Sequence, residues 1–261
     1  MYSNEHKEYL KKVKRNKYTV VFFKVFIILF FLIAWEVLAR LEIINPFLTS
    51  SPSKIINTII ELYKQNNLFI HIWTTFYETI VSFSIATTTG LLIASILWIS
   101  PTISKILDPY LTVLNSLPKV SLGPLIIIWM GANTKSIIFM AILITVFTMI
   151  INIYNAFINT DKQKILLLRT FNASKVQIFT KLVLRGNIKS LVNTLKISIS
   201  LSLIGVIMGE LLVSKKGLGY LITYGSQVFN LNLVIASIFI LGIMSYLLYL
   251  SVDLLEKRIN K

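Results

Sequence analysis

The side chains able to do chemistry in this sequence are few, and their types exclude more than they allow. There is no cysteine, which removes disulfides, thiolate metal sites and cysteine nucleophiles. Two histidines, His6 and His71, are too few for a histidine metal centre or a Ser-His-Asp triad. No Gly-x-x-x-x-Gly-Lys-Ser/Thr run occurs, so the chain has no phosphate cradle for binding ATP by itself. What is left is a handful of ionisable residues inside apolar stretches: Lys24, Glu36, Lys196 and Glu210. A charge there is costly and raises a question of function. Lys24 and Lys196 lie near the end of their stretch and can reach the interface along their own stems. Glu36 and Glu210 lie near the opposite end, where a carboxylate serves as a structural acceptor at a mouth or as a contact for gating or a partner.

The elements that carry these residues are set by hydropathy. Of 261 residues, 55% are hydrophobic and 14% charged, and the mean hydropathy is +0.75. A soluble chain has about a quarter of its residues charged, so the solvent of this one is lipid. Five stretches are long and apolar enough to span: Tyr18–Ala39, Thr79–Ile99, Ile137–Ile158, Leu191–Val213 and Leu231–Val252. Each has about 21 to 23 residues, enough for a hydrocarbon core of about 30 Å. The first lacks a small-residue cleavage site and is expected to stay as an anchor.

A sixth stretch, Ile106–Met130, is broken by Pro109, Pro118 and Pro124. Charge decides its status. Lys7, Lys11, Lys12, Lys14, Arg15 and Lys17 precede the first span, and Lys162, Lys164, Arg169, Lys175, Lys181, Arg185 and Lys189 fall between residues 159 and 190. Both segments should be cytoplasmic, which requires an even number of crossings between them. The proline-broken stretch must then cross. The expected fold is all-α, with six transmembrane helices and both termini cytoplasmic: a basic tail over residues 1–17 and one membrane domain over 18–261. The net charge of +15 is largely topological, and nucleic acid is not implied.

Two loops are long enough to have structure. Ser51 and Pro52 open an amphipathic helix with Ile55, Ile56, Ile59, Ile60 and Tyr63 on one stripe, to be packed on the bundle or laid in the lipid interface. In the cytoplasmic segment 159–190, Lys162–Thr170 reads as a helix and Asn172 as a left-handed turn. Ser174 with Gln177 reads as a capping box opening a second short helix. On that helix Val176, Phe179 and Val183 recur at helical spacing, either folded back on the bundle or offered to a groove on a partner. Pro118 frees carbonyls in the broken span, and the polar Asn115 and Ser116 beside it are candidates to line a path. Two other function classes find little support. A proton-coupled transporter needs ionisable groups near the midplane, yet the fourth and sixth spans carry none. An intramembrane enzyme needs convergent carboxylates or histidines, which the sequence does not display.

Several runs together resemble the permease subunits of ATP-binding cassette (ABC) importers, of the nitrate, sulfonate and taurine branch that also takes thiamine precursors. They are Ala34–Arg40, Trp73–Phe83, Leu107-Asp108-Pro109, Leu117-Pro118, Gly123-Pro124-Leu125, Ile128–Gly131, Gly209-Glu210-Leu211 and Gly217–Ile222. The likeness runs from about Val25 to the end and lies in the order and spacing of the pieces. The family's cytoplasmic EAA loop is similar to Leu166-Leu167-Leu168, Asn172 and Leu184-Arg185, a degenerate copy in which Asn stands for Gly. At Glu78 relatives often carry Arg.

The resemblance implies a MetI-like permease fold, with no catalytic residue and no cofactor. The implied partners are two cytoplasmic ATPase subunits, an extracytoplasmic solute-binding protein and a second copy of the chain, all in the lipid bilayer of the cell membrane. Asn172, Ala173, Ser174, Val176, Gln177 and Phe179 would couple to the ATPases, and Asn115, Ser116, Pro118 and Glu210 would border the path. The implied cargo is a sulfonate, taurine or nitrate, or alternatively a thiamine precursor.

Overall fold

The computed structural model describes residues 4–65 and 67–259, and every regular element among them is helical. In chain order these are α1 (Asn4–Arg40), α2 (Pro46–Thr49), α3 (Pro52–Lys64), α4 (Leu68–Ile99), α5 (Pro101–Ser116), α6 (Gly123–Met130), α7 (Thr134–Ile158), α8 (Lys162–Thr170), α9 (Lys175–Ile178), α10 (Leu184–Gly186), α11 (Ile188–Val213), α12 (Leu218–Gln227) and α13 (Leu231–Ile259). A 3-10 turn (Lys119–Leu122) leads into α6, and a π turn (Phe179–Val183) joins α9 to α10.

Five helices, α1, α4, α7, α11 and α13, are long and apolar enough to cross a bilayer. The broken stretch is a sixth candidate: α5 and the segment Lys119–Met130 pass the same test only as a pair, bent by 83° at a break that holds Pro118. Proline removes a backbone donor and clashes with the preceding turn, which accounts for the break. Pro109, by contrast, is accommodated inside α5.

Two helices are longer than their hydropathy announces. The helix expected from Thr79 starts at Leu68: the Thr74 and Thr75 hydroxyls donate to carbonyls one turn back and Thr75 also to Glu210, so these polar residues belong to the helix rather than to a loop. At 32 residues α4 is about 48 Å long, more than a bilayer core requires. The basic run expected as a tail is likewise helical from Asn4 and continuous with the first span, since no Gly or Pro interrupts its Lys, Arg and Glu residues.

The centre of the bundle is α7 packed between α4 and α11. Lipid gives apolar helices no hydrophobic reason to associate, so close packing must come from small residues. Gly205 supplies one such contact: a Cβ there would lie 2.6 Å from the Ala141 Cα on α7. A second layer of Leu233, Ile240, Leu241, Met244, Leu248 and Val252 on α13 packs on Ile199 and Leu203 of α11. Helix α1 stands apart. Its midsection is exposed along Phe22, Phe26 and Phe30, and it meets the body through Trp35, stacked on Phe239.

Helix α3 starts where the sequence indicates, with the Ser51 side chain accepting from the Lys54 N–H and Pro52 in the first turn. Its stripe divides, however. Ile55 is buried and Ile59 packs on the core with Leu62, whereas Ile56, Ile60 and Tyr63 face outward. Thus α3 lies half on its own bundle.

Candidate functional site

Two regions at opposite ends of the bundle bring polar side chains together. The first surrounds the turn after α11. Glu210, on the last turns of α11, is 1% exposed. Its Oε1 accepts from the Thr75 hydroxyl of α4 at 2.7 Å, and its Oε2 accepts from the Gly219 N–H at 2.6 Å. Thr75 Oγ1 in turn accepts from the Leu218 N–H at 2.8 Å, and His71 Nδ1 from the Gly217 N–H at 3.0 Å. Three successive N–H groups at the start of α12, which no helix can satisfy internally, are thereby capped by side chains of α4 and α11. Tyr220, one residue on, stacks against His71 at 5.8 Å between ring centroids.

Beside this latch lies Glu78, one turn along α4 from Thr75 and fully buried. Neither of its carboxyl oxygens has a hydrogen-bond partner. The groups that act on it are the Glu210 carboxyl and the Thr134 hydroxyl. The sequence displays no convergent carboxylates because these two are 132 positions apart; folding puts them together. No salt bridge among the described residues reaches either one. Glu78 lines an open cavity of about 590 Å³ between α4, the start of α7 and the turn after α11.

The second region is the segment joining α7 to α11. Asp161 caps α8 by accepting from the Gln163 N–H at 2.8 Å. At its other end, Asn172 has φ 54°, its N–H donates to Arg169 O and the Ala173 N–H donates to Leu168 O. That pair of bonds is a Schellman closure with Asn in the left-handed position. Ser174 and Gln177 form the reciprocal capping box, at 3.3 and 2.8 Å.

Phe179 departs from the docking expectation. It is 8% exposed, with its ring 5.4 Å from Trp98 of α4 and edge-on to Phe157 of α7 at 5.3 Å. Val183 and Ile178 are buried with it, so this stripe folds back on the bundle. The π turn at Phe179–Val183 adds a residue to the turn where α9 meets the bundle. The exposed apolar residues of the segment are instead Leu166, Leu167, Phe171 and Val176. Of these only Val176 stands out from periodicity; Phe171 follows from occupying the C-cap just before a left-handed turn.

The broken span is held by a residue that its apolar surroundings obscure. Lys119 Nζ donates to Asn115 O at 2.7 Å, satisfying a carbonyl at the helix end. The Thr148 hydroxyl donates to Asn115 Oδ1 at 3.1 Å, tying α5 to α7. The Ser116 hydroxyl bonds within its own helix to Thr112 O, and Pro118 is exposed at the break. Glu36 is a fastener, accepting from Arg40 Nε, Ser53 N–H and the Ser53 hydroxyl. Lys196 is paired: it is held by Asp253 at 2.6 Å and Glu256 at 2.5 Å, joining α11 to α13.

Residues 86–261 match the family model described as the binding-protein-dependent transport system inner membrane component. The chain belongs to this family. It is a multi-pass plasma-membrane protein, a permease subunit of the ABC importer type. It is similar to the formylaminopyrimidine transport permease protein ThiX of Halalkalibacterium halodurans, 29% identical over 231 residues, 87% of this chain and 92% of that one. The taurine transport system permease protein TauC of Escherichia coli is 21% identical over 234 residues, 88% and 85% of the two chains. Among solved structures, an inward-facing conformation of the MetNI methionine ABC transporter matches with a TM-score of 0.64 at 18% identity, over 73% of this chain and 95% of that one. This likeness is one of fold: the permease is MetI-like.

Proposed function

We propose that this permease works as one of two identical membrane subunits, driven by two ATPase subunits on the cytoplasmic side and fed by an extracytoplasmic binding protein. The observation that carries this reading is the segment between α7 and α11. Its two helices are set by a Schellman turn and a capping box, and Leu167, Phe171 and Val176 are exposed on it, covered by none of the described residues. ATPase closure would press on this surface, and Phe179, wedged between Trp98 and Phe157, would pass the movement to α4 and α7. Ile128 and Trp129 on α6, both strongly exposed, give the second copy an apolar face. The cargo is a small solute of the range named for relatives, from sulfonates and taurine to a thiamine precursor. Co-purification of the tagged permease with an ATPase subunit from native membranes tests the assembly; a permease that purifies alone and still transports would refute it.

Sidedness follows from the positive-inside rule, which sets the Asn172 end in the cytoplasm. In this cysteine-free chain a cysteine at Lys175 should react with an impermeant thiol reagent only after cells are permeabilised, and one at Ser214 should react in intact cells. Equal labelling from outside would overturn the orientation.

The turn at Asn172 gives a conformational test. Asn172→Gly keeps positive φ accessible and should leave binding-protein-stimulated ATPase activity within about twofold of wild type. Asn172→Val places a β-branched residue where it is an outlier, at about 1–3 kcal/mol, and should lower both stimulation and thermal stability. Retained stimulation in the valine variant would mean that the turn is not needed for coupling.

A further inference from the structure

The break between α5 and α6 stands where hydrocarbon does not tolerate one. Its depth is fixed by α7, a helix long and apolar enough to cross. The Thr148 hydroxyl that donates to Asn115 Oδ1 lies about 21 Å from one end of α7 and about 15 Å from the other. At that depth Ser116, Leu117, Pro118, Val120 and Ser121 are all exposed, and Leu117 and Pro118 belong to no helix. Irregular backbone at membrane depth is stable only inside protein or against water, so this stretch does not look out on lipid.

Lys119 sits at the same spot. Between Ile106 and Met130 the other charged residue is Asp108, two turns before Asn115. No salt bridge among the described residues reaches either of them. Lys119 Nζ donates to Asn115 O at 2.7 Å and to Asn115 Oδ1 at 3.3 Å, and it stands 6.0 Å from the centre of the Phe147 ring. Two acceptors and a ring face suit an ammonium, which has three N–H donors to place. In a continuous helix Asn115 O would take the backbone N–H of residue 119, so fastening the break requires a donor there. It does not require a charge, since a glutamine amide donates as well. A full charge without a counter-ion at mid-depth is costly, and such residues mark ion or solute routes.

We infer that Lys119 is a fixed-charge filter in the solute path, one that turns back protons and inorganic cations while the path is open. A permease that opens a wet route for its solute also exposes the membrane to leakage of small cations. A positive charge at a constriction raises the barrier against them selectively. With low-dielectric walls and no carboxylate beside it to cancel it, the ammonium acts beyond its own contacts. The filter rests on the proposed importer reading, to which it adds the residue that keeps the route closed to ions whatever solute is carried.

Ser116→Cys reports on the filter, because the chain has no other cysteine and Ser116 is exposed beside the break. The variant is purified with its ATPase subunits in lipid nanodiscs and labelled with and without ATP. Two methanethiosulfonates of similar size are used, one carrying a trimethylammonium group and one a sulfonate. Each rate is read from the mass of the permease and divided by the rate on a small free thiol. The anionic reagent should react at least tenfold faster than the cationic one, and the ratio should shrink as salt is raised. Lys119→Gln keeps a donor for Asn115 O and should bring the ratio to within about twofold of unity at an unchanged thermal midpoint, whereas Lys119→Arg should preserve it. In proteoliposomes holding a pH-sensitive dye, Lys119→Gln should also raise proton leak during ATP turnover at least threefold. A ratio that survives Lys119→Gln, or a Ser116→Cys thiol inert to both reagents in every nucleotide state, would overturn the filter. Should Lys119→Gln lower the midpoint, the salt dependence of Ser116→Cys alone decides, and a ratio indifferent to salt overturns the filter. A charge-dependent ratio in a permease that never retains an ATPase would instead sink the importer reading and leave the filter standing.

Discussion

Phe179→Asp is expected to unfold the segment between α7 and α11 from the bundle, lowering the thermal midpoint of the purified permease and its abundance in the membrane. The ring is packed between Trp98 and Phe157 and shares its cluster with Ile178 and Val183. Replacing it removes that packing, which for a buried Phe costs about 3–5 kcal/mol, and sets a carboxylate among apolar side chains. Val176→Asp is the control. Val176 is 58% exposed on the same short helix, so the variant should keep the wild-type midpoint and lose only the ATPase subunits. An unchanged midpoint for Phe179→Asp would mean that the ring does not hold the segment to α4 and α7. Two residues three positions apart thus separate folding from docking, which activity measurements alone could not do.

That distinction marks the boundary of what can be read from the chain. Local chemistry was legible: Ser51, Asn172 and the Ser174–Gln177 box act within a few residues of themselves, and each stands in the structure as its type requires. The crossings were legible because lipid imposes length and hydropathy. Periodicity identified the stripe through Phe179 but could not say which surface it covers. A stripe that packs on the bundle and one that docks on a partner have the same pattern. The latch at Glu210 was less legible still, since Thr75, His71 and Glu78 belong to a stretch whose polarity resembles a loop. Their partners lie 132 to 146 positions away, and only the packing of α4 against α11 joins them. Two carboxyl groups buried side by side, with no salt bridge to either among the described residues, are a costly arrangement for a core, and such departures are expected where function has a claim on stability.

Gly217→Val should release α12 from that latch. Gly217 has φ 104° and ψ 167°, a region open essentially to glycine, and a Cβ built there would run into the Glu210 carboxyl. Neither half of the conflict can be relieved alone. Turning the backbone to negative φ moves the Gly217 and Leu218 N–H groups off His71 and Thr75, and moving the Glu210 carboxyl aside breaks its bonds to Thr75 and Gly219. The strain costs about 1–3 kcal/mol, and each buried donor or acceptor left without a partner adds about 1–3 kcal/mol. Because these groups share one network, the terms do not add, and the expected loss is about 3–5 kcal/mol. Hydrogen exchange is the decisive measurement: the amides of Gly217, Leu218 and Gly219 should be protected together in the wild type and exposed together in the variant. The Schellman turn at Asn172 should keep its protection, since it lies at the other end of the bundle. If the valine variant retains slow exchange at all three amides, the turn tolerates a side chain and Glu210 is not what fixes α12; if only Gly217 exchanges faster, the three bonds are independent and the latch is not one unit.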